Sequence, residues 1–408
     1  MNSPHIAMYI GSLQKGGAER VMVNLAEYFF SLGWKVTFVT TYLGENEYEV
    51  KDAAWKVTEG DSLLDSGAKA QGSAETVYLV DNKGTALVDP HGGQEGGIAR
   101  RFSALLPSEE TGSRAGAFTA RVRKLRGIFK ELKPDLILSF SGKNNLMAIL
   151  SSRGFGIPVV VSCRSDPARE YAGRAMKSAM RLLFPMAAGT VLQTKDAAEF
   201  FPESVKKKAV ILPNSLNRDF ISREIVRERQ KTIISVGRLD DNKNQALILK
   251  AFASLAEKDG WSVILYGDGP SRDKLKSLSS ELGIADRVFF PGAVSDVADR
   301  TADAGIFVLS SIQEGMPNAL LEAMALGTAC ISTDCPCGGP RDLIQDKVNG
   351  LLVPSGDVPA MAKAMETLMR DPEAGRKMGD NAARVRKTHH PDEVNLRWKS
   401  YLEKVMRR

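Results

Sequence analysis

Histidine and cysteine are both scarce, with four of each in 408 residues. Cys163, Cys330, Cys335 and Cys337 offer one C-P-C pair and no metal-ligand spacing, which excludes a disulfide framework and points to reduced, structural thiols. None of His5, His91, His389 and His390 stands at the end of a strand-like run in the first half, so no histidine base is expected there. No stretch of eighteen or more uncharged apolar residues appears, and MNSPHIAMYIGS enters a strand-like segment without a signal-peptide pattern. A cytoplasmic protein without a membrane-spanning helix is the expectation. Also missing are an Asp-x-Asp at a strand end to hold Mg²⁺, a Walker A Gly-Lys-Ser/Thr and a G-x-G-x-x-G fingerprint.

What is present is ample apolar residue, 43%, and a length beyond what one core supports. Two domains follow. The net charge of +6 is unevenly placed: Arg121 to Arg126, Arg164 to Arg181 and Lys206 to Lys208 all lie in the first half. No zinc-finger, RNP-type or helix-turn-helix signature accompanies these clusters, so no nucleic-acid partner is expected. An anionic membrane surface or a pyrophosphate substrate fits the same charge.

Strand and helix patterns alternate, which implies parallel sheets with helices on both faces. HIAMYIGSL, AERVMVNLAEYFFSLG, WKVTFVTT, a helix ending in IFKELK, PDLILSF, NNLMAILSSRG and IPVVVSC make one α/β doubly wound, Rossmann-like unit. TIISVGRL, NQALILKAFASLAEK, WSVILYGDG, RDKLKSLSSELG, RVFFPG and GIFVLSS begin a second. The boundary falls at Pro213-Asn214-Ser215, giving domains of residues 1–213 and 214–390, with EVNLRWKSYLEKVM as an amphipathic helix within about 391–408. Ligands would sit in the cleft between them, at the carboxyl ends of the strands, where Gly16-Gly17, Gly237-Arg238, Gly267-Asp268-Gly269 and Glu314 fall. Residues of about 51–97, rich in Gly, Ser and Asp around the strand-like TVYLV, read as an insertion: a surface excursion, or a lid or partner surface.

The most informative stretch is EGMPNALLE, Glu314 to Glu322. GIFVLSS before it reads as a buried parallel strand, and Asn318 to Leu326 as a helix opened by Pro317. Free N–H groups at such a helix start favour an anion by roughly 0.3 to 1 kcal/mol when exposed. The two carboxylates cannot attract phosphate but can accept hydrogen bonds from hydroxyls, a pairing suited to a ligand with both phosphates and sugar. GSLQKGGAER likewise follows a strand and opens a helix, its glycines permitting close backbone approach or simply a tight turn. Arg238 and Lys243 place two cations after TIISVG, as a solvated surface or as a clamp on a leaving diphosphate. Arg174, Lys177 and Arg181 form one helical stripe, with Ala172, Met176, Ala179 and Leu183 opposite; it serves as a solvated face or binds acceptor phosphates.

EGMPNALLE resembles the signature of GT4-type retaining glycosyltransferases, which have the two-domain GT-B fold. The resemblance covers most of the chain and implies that Glu314 meets the donor sugar and Glu322 the ribose. Backbone amides of Gly315, Met316, Pro317, Asn318, Ala319 and Leu320 would line the sugar and diphosphate, bearing in mind that Pro317 has no N–H to give. GSLQKGGAER is similar to the family's first loop, with Gly16 and Gly17 near the diphosphate, and Gly237 and Gly267 complete the expected donor set. The positions of Arg238 and Lys243 clamp the diphosphate in that family, so the catalytic residues expected are Glu314, Arg238 and Lys243, with no metal and no cofactor beyond the nucleotide sugar, a UDP-sugar. Some relatives carry a histidine after the strand matching PDLILSF, where this chain has Ser141-Gly142-Lys143-Asn144-Asn145. Front-face transfer, with the departing phosphate taking the acceptor proton, is therefore expected.

GGAERV, the SCRSDP segment and the basic helix after it most resemble bacterial enzymes that extend polyprenyl-pyrophosphate-linked oligosaccharides, including GalNAc transferases of N-glycosylation. Several relatives have Ser-Glu-Arg-Asn-Asp-Pro where this chain has Ser162-Cys163-Arg164-Ser165-Asp166-Pro167. Arg164, Arg174, Lys177, Arg181 and Asn144 are the expected acceptor-binding residues, at a lipid-linked glycan on the inner face of the cell membrane. A nucleotide-sugar epimerase of GT-B architecture and a noncatalytic glycan- or membrane-binding protein are the competing classes.

Overall fold

A computed structural model describes residues 3–14, 16–41, 47–48, 78–80, 86–88, 100–103 and 114–407. It contains fifteen strands: β1 (His5–Ile10), β2 (Lys35–Thr40), β3 (Tyr78–Val80), β4 (Ala86–Val88), β5 (Arg100–Ser103), β6 (Leu136–Phe140), β7 (Val159–Ser162), β8 (Gly189–Leu192), β9 (Ala209–Ile211), β10 (Gln230–Val236), β11 (Ser262–Tyr266), β12 (Val288–Gly292), β13 (Ala304–Leu309), β14 (Ala329–Asp334) and β15 (Leu351–Pro354). Two compact units result. One holds residues 1–192, 198–212 and 395–408, and the other residues 193–197 and 213–394.

The first unit is built on a seven-stranded sheet in the order β5-β2-β1-β6-β7-β8-β9, parallel throughout. β1, β6 and β7 are buried along their whole length, as continuous apolar runs covered on both faces must be. β3 and β4 form a separate antiparallel pair, Tyr78 opposite Val88, and β5 joins the sheet edge beside β2. Apart from β3 and β4, the insertion expected over about 51–97 lies outside the described residues; TVYLV contributes its last three residues to β3.

The final helix, Pro391–Met406, carries the largest fully buried side chain among the described residues, Trp398. Its indole lies 6.0 Å from the Phe140 ring at the end of β6. Tyr401 donates its hydroxyl to Lys208 O at 3.1 Å, and Arg397 reaches Ile211 O at 2.9 Å. Gly189 makes room for this docking, because a Cβ there would come within 2.1 Å of the Tyr401 hydroxyl.

The second unit has a six-stranded parallel sheet, β12-β11-β10-β13-β14-β15. Alternate residues of β10 serve opposite faces: Ile233 joins a core with Ile248, Phe252 and Met361, whereas Ile234 packs with Leu320, Leu321 and Met324. Each sheet places its first strand beside its own fourth, so the order reverses at β1/β6 and at β10/β13. Within each unit the carboxyl ends of those two strands are where open α/β sheets take ligands.

One expectation about the basic helix is corrected. The helix runs over Arg174–Leu183, so Ala172 lies outside it and is exposed. Its buried residues are Met180 and Leu183, while Leu182 is 72% exposed. Short Ala side chains do not fix which face a helix buries; the larger Met180 and Leu183 do.

Removing the Trp398 indole strips the first unit of its largest docked side chain. Trp398→Ala is expected to lower that unit's stability by about 3–5 kcal/mol, read as an earlier urea transition with the far-UV spectrum of the folded state retained.

Candidate functional site

In the second unit, the chain leaves β13 at Leu309 and enters the helix Asn318–Ala325, with Pro317 at the position before its first residue. Between them the backbone is pinned on two sides. Glu314 donates its N–H to Pro336 O at 2.8 Å and accepts from Cys337 N at 3.0 Å, while Ile312 donates to Asn242 O at 2.8 Å. Side chains complete the tie to the loop after β10: Ser310 Oγ donates to Lys243 O at 2.7 Å and Asn242 Nδ2 to Gln313 O at 3.1 Å.

Glu314 Oε1 receives two donors, Lys243 Nζ at 2.5 Å and Ser311 Oγ at 2.6 Å. The pair is largely shielded, with side chains 12% and 26% exposed. Arg238, by contrast, is 70% exposed and only 3.7 Å from Asp240 Oδ2. The structure therefore brings Glu314 and Lys243 together and leaves the Arg238 guanidinium open to solvent.

The glycines divide into two kinds. Gly237 (φ 152°) and Gly267 (φ 126°) lie in backbone regions that favour glycine. A Cβ on Gly267 would stand 1.9 Å from Gly237 O, and one on Gly339 1.6 Å from Gly315 O. Gly267 thus serves contact between the β10 and β11 loops, a role its place in the expected donor set did not reveal. Met316 and Leu320 send their side chains into the core, so only their backbone is available to a ligand. Glu322 is 8% exposed, and Asn318 and Ala319 are half-buried.

Two residues outside the expected set position this loop. Asn214 Nδ2 donates to Met316 O at 3.1 Å and to Asn318 Oδ1 at 2.7 Å, and its own Oδ1 accepts from Gln193 Nε2 at 2.8 Å. Gln193 Oε1 in turn accepts from Met316 N at 3.3 Å. The sequence marks Asn214 only as part of the boundary Pro213-Asn214-Ser215; an amide shortly after β9 is the one local signal it offers.

No disulfide joins any of the four cysteines, and all four are buried. Burial, with the Glu314 carboxylate adding to it, pushes the Cys335 thiol up to about 12. Cys330, buried in the sheet, is driven upward as well.

In the first unit, Gly16 precedes the helix Gly17–Ser31 and accepts from Arg20 N at 3.1 Å. A Cβ on Gly16 would lie 2.3 Å from Glu19 Oε2, so the glycine accommodates that carboxylate, which burial pushes above its ordinary value. At the ends of β6 and β7, one carboxylate joins two loops. Glu170 Oε2 accepts from Gly142 N at 2.9 Å, and Oε1 accepts from Arg164 N, Ser165 N and Ser165 Oγ at 2.8 to 3.1 Å. Glu170 was absent from the expected set.

Arg164 departs from its expected exposure. It is 8% exposed, its guanidinium 5.2 Å from the Phe140 ring centroid and 5.9 Å from that of Trp398. Burial pulls it down to about 10, with Glu170 opposing the shift. Asn144 bonds Phe140 O at 3.3 Å. Arg174, Lys177 and Arg181 are exposed along one helix, with Lys177 Nζ 5.3 Å from the Phe200 ring centroid. Among the described residues no group of three or more His, Cys, Asp or Glu is placed to hold a metal, and no helix is long and apolar enough to cross a membrane.

Comparison with known proteins places family matches on both units. Residues 16–215 match the Glycosyl transferase 4-like domain, and residues 217–385 match Glycosyl transferases group 1. A Campylobacter jejuni protein, GalNAc-alpha-(1->4)-GalNAc-alpha-(1->3)-diNAcBac-PP-undecaprenol alpha-1,4-N-acetyl-D-galactosaminyltransferase, is 27% identical over 98% of each chain. A second C. jejuni protein, N-acetylgalactosamine-N,N'-diacetylbacillosaminyl-diphospho-undecaprenol 4-alpha-N-acetylgalactosaminyltransferase, is 28% identical over 64% of this chain and 74% of its own. Among solved structures, Anabaena HepE in complex with UDP superposes with a TM-score of 0.74 at 17% identity, covering 98% of this chain and all of that one. Sucrose-phosphate synthase of Thermosynechococcus elongatus gives 0.74 at 18% over 98% and 99%. These likenesses show the fold, that of the GT-B proteins.

The thiols yield a test. An unfolded thiol ionises near its ordinary 9.0 whereas Cys335 holds its proton to about 12, so between those values the unfolded chain binds fewer protons. This contribution to stability is whole below pH 9 and is lost as pH rises toward 12. Ellman's reagent at pH 8 is expected to label fewer than one thiol per native chain and all four after denaturation in guanidinium.

Proposed function

Because the chain belongs to the group 1 and 4-like glycosyltransferases, we propose that it is a retaining enzyme that moves a hexose or N-acetylhexosamine from a UDP-sugar to a lipid-pyrophosphate-linked glycan. The observation that carries this reading is Glu314, held by Lys243 and Ser311 beside the start of the helix Asn318–Ala325. The named activities of the two Campylobacter relatives support the acceptor class, and the UDP in HepE supports the donor base.

In this mechanism the donor diphosphate lies along Gly237, Arg238, Lys243 and the amides that open the Asn318–Ala325 helix. Negative charge grows on the departing phosphate as the glycosidic bond breaks. Fixed cations there stabilise the transition state more than the ground state. Lys243 is shared between Glu314 and the diphosphate, while Arg238, held by only a long contact to Asp240, turns onto the phosphates at small cost. Glu314 accepts from sugar hydroxyls and Glu322 from the ribose. Attack comes from the face the diphosphate leaves, and a phosphate oxygen takes the acceptor proton, so no histidine is needed and configuration is retained.

The acceptor pyrophosphate binds Arg174, Lys177 and Arg181, three exposed cations on one helix. The enzyme works on the cytoplasmic face of the cell membrane, drawn to anionic lipid by the basic first unit. Arg164, buried over Phe140 and Trp398, acts by holding the β7 loop in shape rather than by meeting the acceptor.

Radiolabelled UDP- and GDP-sugars offered with lipid-linked acceptor extracts, with the product anomer assigned by NMR, test the assignment. Retained configuration from a UDP-sugar is expected, whereas donor conversion without any acceptor would mark an epimerase. Glu314→Gln is expected to lower turnover by about 10² or more, equivalent to roughly 2.7 kcal/mol. Near-normal turnover would remove Glu314 from its positioning role. The Arg174→Ala/Lys177→Ala/Arg181→Ala variant is expected to lose at least about tenfold in kcat/KM on a pyrophosphate-linked acceptor while keeping its rate on a phosphate-free one. Equal loss on both acceptors would count against phosphate binding by this helix.

A further inference from the structure

The second unit has a cavity at the edge of its sheet remote from the donor loops. About 350 Å³ in volume, it is lined by the first residue of β10, Gln230, the first of β14, Ala329, and Gly305 near the start of β13. These are amino-terminal strand ends, whereas Gly237, Arg238 and Glu314 follow carboxyl-terminal ones. The volume falls in the range of small-molecule sites.

Its charge is one-sided. Arg227, Arg229, Lys231 and Arg376 line it against a single carboxylate, Glu373. Two of these cations are neutralised in place: Arg227 bonds both oxygens of Asp380 at 2.8 and 3.0 Å, and Arg376 pairs with Glu373. The other two are not. Arg229 spends its N–H groups on Leu326 O at 2.8 Å, Thr328 Oγ1 at 3.0 Å and Ala302 O, and Lys231 Nζ donates to Asp259 O at 3.0 Å. Neither lies within ion-pair distance of a carboxylate among the described residues. A half-buried guanidinium whose hydrogen bonds all go to neutral oxygens is costly, and burial pulls Arg229 below its ordinary value although Asp303 and Asp380 oppose the shift from beyond ion-pair distance.

The remaining wall is mostly apolar, and its Trp261 is 5% exposed, set in the unit's core. The Trp261 indole lies against Gly305, where a Cβ would come within 2.8 Å of the ring. At Gly375, in the helix Pro372–Ala382, an added Cβ would meet nothing closer than 3.5 Å.

We infer that this cavity is a binding site for a compact organic phosphate, its phosphate between Arg229 and Lys231 and its apolar face against Trp261. The positive charge of Arg229 and Lys231 beside an aromatic ring selects such a ligand over an uncharged sugar, which brings no countercharge. The site has a physical link to the donor loop. Arg229 also holds Leu326 O, the residue that ends the helix Asn318–Ala325, so a phosphate on Arg229 stiffens the helix that carries Glu322 from its far end.

Calorimetric titration of the full chain with 1-naphthyl phosphate, and with inorganic phosphate alone, tests this without any glycosyl transfer. Saturable binding of 1-naphthyl phosphate is expected, at least tenfold tighter than that of inorganic phosphate, weakened at least tenfold in Lys231→Glu/Arg376→Gln and abolished in Gly375→Leu, which fills the cavity without changing charge. Binding should be unaltered in Arg238→Ala. Binding that survives in a folded Gly375→Leu, that disappears in Arg238→Ala instead, or that is absent from the parent protein overturns the site. Amide exchange in the Asn318–Ala325 helix should slow when the probe binds the parent chain; unchanged exchange overturns the link.

Discussion

Lys243 and Glu314 neutralise each other across two loops of one sheet, and the geometry of the second unit's ligand edge depends on that pair. Glu314 follows β13 and Lys243 follows β10, neighbouring strands whose carboxyl ends meet where the strand order reverses. With the carboxylate 12% exposed, an unpaired charge there would be strongly destabilising. Ser311 and the Ser310 and Asn242 bonds hold the same two loops, so the pair sits in a frame that does not rely on it alone. Lys243 is consequently a cation already in use, and in the proposed mechanism it is shared between Glu314 and the diphosphate. Arg238 carries the opposite balance: open to solvent and held only by a long contact to Asp240.

The first unit solves a similar problem with a different partition of charge. Glu170 gathers four donors from the Gly142 and Arg164–Ser165 loops, and burial still pushes its carboxyl above the ordinary range. Arg164 is sunk against two aromatic rings, whereas Arg174, Lys177 and Arg181 stay on the surface. A cation that builds a loop and cations that face solvent thus follow one another within eighteen residues. Burial alone sorts them.

How much of this was legible follows from which signals are local. Strand periodicity, the glycine turns and EGMPNALLE are written in consecutive residues, and the two parallel sheets with helices between them follow from alternation. Gln193 and Asn214 were not legible as loop holders, because each acts through partners more than a hundred residues away. Gly267 is expected in the donor set, and the structure adds that it lets two backbones meet, a contact that sequence spacing cannot express. The cavity at Arg229 likewise draws its walls from β10, β13, β14 and a late helix, and no motif announces it.

The sequence by itself determined the fold class, the family signature and the chemical types gathered after each strand, since these rest on periodicity and short-range turns. Tertiary structure alone decided which cations are buried, which are paired and which stay open. Charge state and exposure depend on distances between segments far apart in the chain, and those distances exist only once the sheets have formed.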